Sequence, residues 1–462
     1  MNIAPIATIP EAHPPAMSRT LLPHAPWTLA YGLAAIVTGL CCCNVWSQEP
    51  VAPVVALVGG TVHTVCGEDL PGGAVLLLEG KIAAVGLDLA LPPEAQRIDV
   101  TGCHVYPGLI DAYTQLGLVE IDAVRATRDT AESGQINPNV RAQEAFHPDS
   151  ELIPVARAGG VLTVLTAPEG GLISGTSAVM RLDGWSWEEM TVHPAAGLHV
   201  QWPAMAIAPP APGAAPAPGS AAADALEPLR LAFADARAYA QARQTARQEG
   251  RLVQVDVRWE AMLPVLERRM PLVVRADTWQ QIESAARFAL AEGVRLVIVG
   301  GYDAPLCAEL LKSAGAAVIV AGTHRLPLRE DDAYDAPYTL PARLAQAGIP
   351  FCLASAGRAA NVRNLANHAA TAAAHGLERA AAVRAITLSA AEILGVADRL
   401  GSLAPGKEAT LIVTDADVLD TTCHVTLAYI AGRPVDLSNR HTRLWDRYRR
   451  RYAPPAGARK TP

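Results

Sequence analysis

The chain has 462 residues, of which half are hydrophobic and 18% charged, and its formal net charge is −7. That length and apolar fraction provide for a large core with a smaller one beside it and exclude a globally disordered chain. The acidic balance leaves no electrostatic footprint for nucleic acid, and none is expected as a partner.

Trp27–Cys43 is an uncharged apolar run behind a weakly basic leader. It is short for a bilayer span and suits the core of a secretory signal, with Val45 and Ser47 as the small residues before a cut. Residues 1–47 are therefore expected to be a signal peptide, and the mature chain to sit in the periplasm or cell envelope. A retained anchor is the alternative, in which case the membrane is met only through this uncleaved segment. Lipidation at Cys41, Cys42 or Cys43 ranks third. Beyond it, Cys66, Cys103, Cys307, Cys352 and Cys423 contain no C-x-x-C pair, which excludes a zinc ribbon. Cys307 and Cys352 flank apolar runs and are expected to be buried thiols.

Residues 48–106 read as short valine- and leucine-rich strands punctuated by Gly and Pro, and 399–437 repeat that style, in GSLAPGKEATLIV and HVTLAYIAGRPV. Between them, 107–398 alternate apolar runs (Val161–Thr166, Leu272–Arg275, Leu296–Val299, Ala317–Val320, Phe351–Ser355) with helix-compatible stretches (Thr278–Glu292, Leu340–Ala347, Ala380–Leu394). That is the pattern of βα units around a parallel sheet, and a (β/α)8 barrel fits the span. A doubly wound sheet is the alternative, but no G-x-G-x-x-G follows the first strand. Residues 203–223 are a Pro/Ala-rich insertion, Ala225–Glu249 reads as an exposed helix, and 438–462 form a basic tail.

The chain pivots on Thr101–Ile121, TGCHVYPGLIDAYTQLGLVEI, where Pro107-Gly108 turns a β-rich segment into a buried strand. Together with GSLAPGKEATLIV, this stretch resembles the metal-dependent amidohydrolase superfamily. LREDDAYDAPYTLPARLAQAGIPFCLAS and RAITLSAAEILGVADRLGSLAPGK are similar to its exported, imidazolonepropionase-like branch. The resemblance implies a TIM-type barrel with a small β-sandwich built from both chain ends, and one or two divalent metals such as zinc. It also implies two histidines where this chain has Tyr113 and Gln115, a strand 5 histidine where it has Arg275, a strand 6 histidine at Gly300 or Gly301, and a strand 8 acid near Ala356. A phenol and an amide are poor ligands, and a guanidinium has no free lone pair.

No metal or other cofactor is therefore expected. Asp111 would face Arg275 or serve as a structural turn residue. Asp277 would orient Arg275, and His324 would face the cleft. His193 and His199 read as surface histidines, and His368 with His375 as a helix surface. Three functions follow as expectations. The first is a pseudoenzyme or binding protein, with a small molecule or partner in the old cleft. The second is an active hydrolase of carbon–nitrogen bonds through a shifted or metal-free site. The third is a structural or interaction protein of the envelope.

Overall fold

The computed structural model describes residues 54–205, 220–252 and 254–452. The expected signal peptide, its cysteines and most of the Pro/Ala-rich insertion lie outside the described residues.

Two eight-stranded sheets organise the chain. The first takes β1 (Val55–Val62), β2 (Leu70–Leu78), β3 (Lys81–Gly86), β4 (Gln96–Asp99) and β5 (His104–Pro107) from the amino-terminal side. It takes β14 (Leu411–Thr414), β15 (Val425–Ile430) and β16 (Arg433–Pro434) from the carboxyl-terminal side. The two groups join where β5 runs antiparallel to β14, pairing Val105 with Val413 and Pro107 with Leu411. Val55, Leu57, Val75, Leu77, Val105, Leu411 and Val413 from both groups form one buried cluster. Neither group could bury its apolar face without the other.

The second sheet runs β6 (Leu109–Thr114), β7 (Val161–Thr166), β8 (Ile173–Arg181), β9 (Thr191–Gln201), β10 (Leu272–Ala276), β11 (Leu296–Gly300), β12 (Ala317–Ala321) and β13 (Phe351–Ala354), in sequence order. It curls into a nearly closed barrel. Its strands are apolar on both faces because both are covered. Val273, Val297, Val299, Ile319 and Cys352 fill the interior. Leu272, Val274, Ile298 and Val318 meet the outer helices through Ile282, Ala285 and Leu344.

The barrel differs from the expected eight parallel strands. β8 runs antiparallel to both β7 and β9, because a six-residue hairpin loop of 167–172 returns the chain where a crossover helix would otherwise stand. Both β8 and β9 were missing from the sequence expectation. The helix Ser220–Gln248 is not simply exposed, since Leu229, Phe233 and Ala236 are fully buried.

The first and last strands are not joined by a ladder. Ile110 donates its N–H to Ile386 O (2.8 Å), Gln115 donates to Gly357 O (2.9 Å), and the Asp111 side chain accepts from Ser355. The Ile386 carbonyl is thus used by β6. The expected helix Ala380–Leu394 is accordingly broken into Arg379–Ala385 and Leu388–Ile393.

Candidate functional site

The carboxyl ends of β6, β7, β9 and β10 bring together Tyr113, Glu169, His199 and Arg275. Tyr113 is 2% exposed and its hydroxyl donates to Glu169 Oε1 at 2.9 Å. The same oxygen accepts from Arg275 Nη1 at 2.7 Å. Burial, reinforced by Glu169, raises the Tyr113 pKa well above the ordinary phenol value, so the hydroxyl keeps its proton. Burial works against the Arg275 charge, but Tyr113 and Glu169 more than offset it, and its pKa lies above the usual guanidinium value. Arg275 stays about half exposed (49%) at the mouth.

Glu169 was missed by sequence reasoning. It sits in the hairpin loop Ala167–Leu172, between Pro168 and the Gly170-Gly171 pair, both of positive φ. Its N–H donates to Thr130 O (2.7 Å), which fixes the loop over the mouth. The signal available was a carboxylate in a Pro-x-Gly-Gly turn between two apolar runs.

His199 corrects a second expectation. It is 3% exposed and inside the barrel, opposite Val273 in the β9–β10 register, with its ring 6.0 Å from that of Tyr113. Its Nε2 is buried without a protein partner, and burial pushes its pKa down to about 3. The alternation of β9 was the clue: Leu198 and Val200 face the helices, so the residue between them faces inward.

The other predicted positions fall elsewhere. Asp111 is fully buried at the seam and does not answer Arg275. It accepts from Ser355 Oγ, from Ser355 N (3.2 Å) and from Tyr113 N (3.3 Å). Burial raises its pKa to about 6, against the opposing pull of those donors. Gln115 lies one residue past the end of β6, in a turn whose carbonyl accepts from Leu118 and Val119. Tyr113 and Gln115 are therefore not a pair along one strand. Asp277 pairs with Arg325 Nη1 at 3.1 Å and does not orient Arg275.

Gly300 ends β11 with φ +103, and a Cβ there would stand 2.7 Å from Asp277 Oδ1. At Gly301 a Cβ would stand 2.5 Å from Val318. Neither position has room for a side chain. Ala356 is exposed and takes the left-handed conformation, with φ +71.

His324 faces the helix Leu365–Ala374, not the mouth, with Nε2 2.7 Å from Thr371 Oγ1. Its neighbour His368 is no surface residue. It is 3% exposed, and its Nδ1 accepts from the N–H groups of Thr323 (3.0 Å) and His324 (3.3 Å). Burial lowers its pKa to about 4. Cys352 is buried as expected, but Cys307 is only partly so.

These side chains do not make a donor set for a divalent cation. One neutral imidazole, one phenol and one carboxylate already shared with a guanidinium surround the mouth, and the fixed charge nearest the carboxylate is positive. Among the described residues, no three His, Cys, Asp or Glu side chains form a group that could hold a metal.

The sequence model of the amidohydrolase family matches residues 272–435. A 77-residue stretch is 40% identical to the D-hydantoinase of Geobacillus stearothermophilus, covering 17% of this chain and 15% of that enzyme. An amidohydrolase from Thermotoga maritima superposes with a TM-score of 0.74 and 26% identity, over 83% of this chain and 99% of its own. A prolidase bound to N-methylphosphonate-L-proline superposes with a TM-score of 0.50 and 19% identity, over 83% and 99%, which speaks to fold alone. The barrel, the sheet joined from both chain ends and these likenesses agree: the fold is that of the amidohydrolases, and residues 272–435 match their family.

Proposed function

We propose that this protein is a binding protein or pseudoenzyme on an amidohydrolase scaffold, its barrel mouth no longer carrying metal-dependent hydrolysis. The observation that supports this reading is the Tyr113–Glu169–Arg275 chain: a guanidinium replaces the cation and the nearby carboxylate is already spent on it. A unit positive charge about 4 Å from a divalent ion would cost on the order of 8 kcal/mol at an effective dielectric of 20. The mouth would hold a small molecule, with the remaining donors of Arg275 directed at it. Residues 1–47 fit the same reading as a signal peptide for export to the periplasm or envelope. Residues 48–106 and 399–437 would then form the family's small β-sandwich domain, in the manner of the imidazolonepropionase-like branch.

A second reading is an active hydrolase of carbon–nitrogen bonds, favoured by the likeness to the Thermotoga amidohydrolase and the hydantoinase segment. Elemental analysis of the purified full chain separates the two. Less than 0.1 equivalent of zinc, iron, manganese or cobalt is expected, together with no hydrolysis of cyclic amides or dipeptides after metal addition. A stoichiometric metal that is lost on Glu169→Ala or His199→Ala overturns the binding reading.

A further inference from the structure

The helix Arg440–Tyr452, RHTRLWDRYRRRY, belongs to neither sheet and buries none of its residues. It carries six arginines and one aspartate, a charge of +5 in a chain whose total is −7, so the remainder stands at −12. It also carries Trp445, Tyr448 and Tyr452, although aromatic residues are only 5% of the chain. All three are exposed, at 66%, 49% and 75%. At i, i+3 and i+7 they form one stripe.

The helix is tied to the body near its start. Asn439 caps it, its Oδ1 accepting from His441 N (2.9 Å) and Thr442 N (3.2 Å). Arg443 reaches back to Glu151 at 2.8 Å, and Leu444 is half-buried. His441 Nδ1 also lies 3.4 Å from Arg363 Nη1, so the helix is held to the body at its amino-terminal end, while Trp445, Tyr448 and Tyr452 stay exposed. Arg449 flanks the aromatic stripe on one edge, and Arg440 and Arg451 on the other.

A merely solvated helix would have no use for three large exposed rings in line. Tryptophan and tyrosine settle at the headgroup level of a bilayer, and arginines on either flank meet anionic headgroups while their stems lie along apolar surface. We propose that this helix docks the protein onto an anionic lipid surface, lying in its plane with Trp445, Tyr448 and Tyr452 inward. Nucleic acid fits less well: the acidic body is repelled by either polyanion, but a bilayer also buries the three rings side by side at its interface.

Hydrogen–deuterium exchange of residues 440–452 in the full chain tests this and reads the helix itself, whatever the apolar run Trp27–Cys43 contributes. Vesicles of phosphatidylcholine with 40% phosphatidylglycerol should protect these amides, pure phosphatidylcholine should not, and 0.5 M salt should reverse the protection. Replacing Arg449, Arg450 and Arg451 with Gln should weaken the vesicle affinity of the helix by roughly a hundredfold, since each basic residue is worth about fivefold. The same three changes to Lys should retain it. Trp445→Ala with Tyr448→Ala and Tyr452→Ala should abolish protection while leaving the charge intact. Equal protection by neutral vesicles, no protection by anionic ones, or protection by single-stranded RNA alone would each overturn the proposal.

Discussion

Asp111 and Glu169 are both carboxylates of one barrel, at its seam and its mouth, and they are held in opposite ways. Asp111 is sealed from water and meets only a hydroxyl and two backbone N–H groups, so burial lifts its pKa to about 6. Glu169 is 31% exposed and shares one oxygen between a phenol and a guanidinium. The first lies in the motif that carries the resemblance, the second in a hairpin loop outside it. Yet the loop residue holds the cation at the mouth, and the motif residue closes the barrel where no ladder joins β6 to β13. A motif position fixes where a residue sits along the chain; its partner is set by what the tertiary fold brings to it.

The sharpest way to test the division between a dry interior and a wet mouth is acid. His199 lies below the mouth with a pKa near 3, against 6.5 when unfolded. Its contribution is present above pH 6.5 and lost as pH falls towards 3, on the order of 4 kcal/mol across that window. Urea unfolding from pH 7 to pH 4 should show His199→Phe losing about 3 kcal/mol less than the parent over that interval. Superimposable slopes would mean that water reaches the ring.

Asp111 carries the opposite sign. Its pKa is raised above the unfolded value of 3.8, so its contribution is complete below pH 4 and lost as pH rises through about 6. Asp111→Asn should remove that loss, on the order of 3 kcal/mol, and leave a chain that depends more steeply on acid than its parent. A variant with the parent's pH profile would place Asp111 in contact with solvent.

Gly300 asks whether the mouth could be refitted with a ligand side chain. Gly300→Ala should cost about 2 kcal/mol, from the positive φ and the crowding by Asp277. Wild-type stability in thermal unfolding would show that the β11 end has slack. The smallest effect belongs to the mouth pair. From sequence, Arg275 reads as half of a buried ion pair, a loss of a few kcal/mol when broken. With Arg275 about half exposed and Glu169 a third, a double-mutant cycle of Arg275→Ala and Glu169→Gln should give a coupling of at most about 1 kcal/mol. A coupling of 3 kcal/mol or more would make the mouth as dry as the seam.

Much of the fold was legible because it is local. Val161–Thr166, Leu272–Arg275 and Ala317–Val320 are apolar runs bounded by turns, and they became β7, β10 and β12 with ends moved by at most a residue. The reversed β8 escaped notice because Gly, Thr and Ser interrupt its apolar run, and the Pro168-to-Gly171 turn before it signals a turn without fixing the direction of the strand that follows. The identities of Tyr113, Arg275, Gly300 and Ala356 were determined by the sequence itself, at positions where the resemblance implies metal ligands. Only the tertiary structure decided that Arg275 pairs with Glu169, 106 residues away, that Asp111 pairs with Ser355, 244 residues away, and that His199 and His368 are buried. Hydrophobic periodicity is written within a few residues, whereas a polar side chain's partner depends on which strand ends the closed barrel sets side by side.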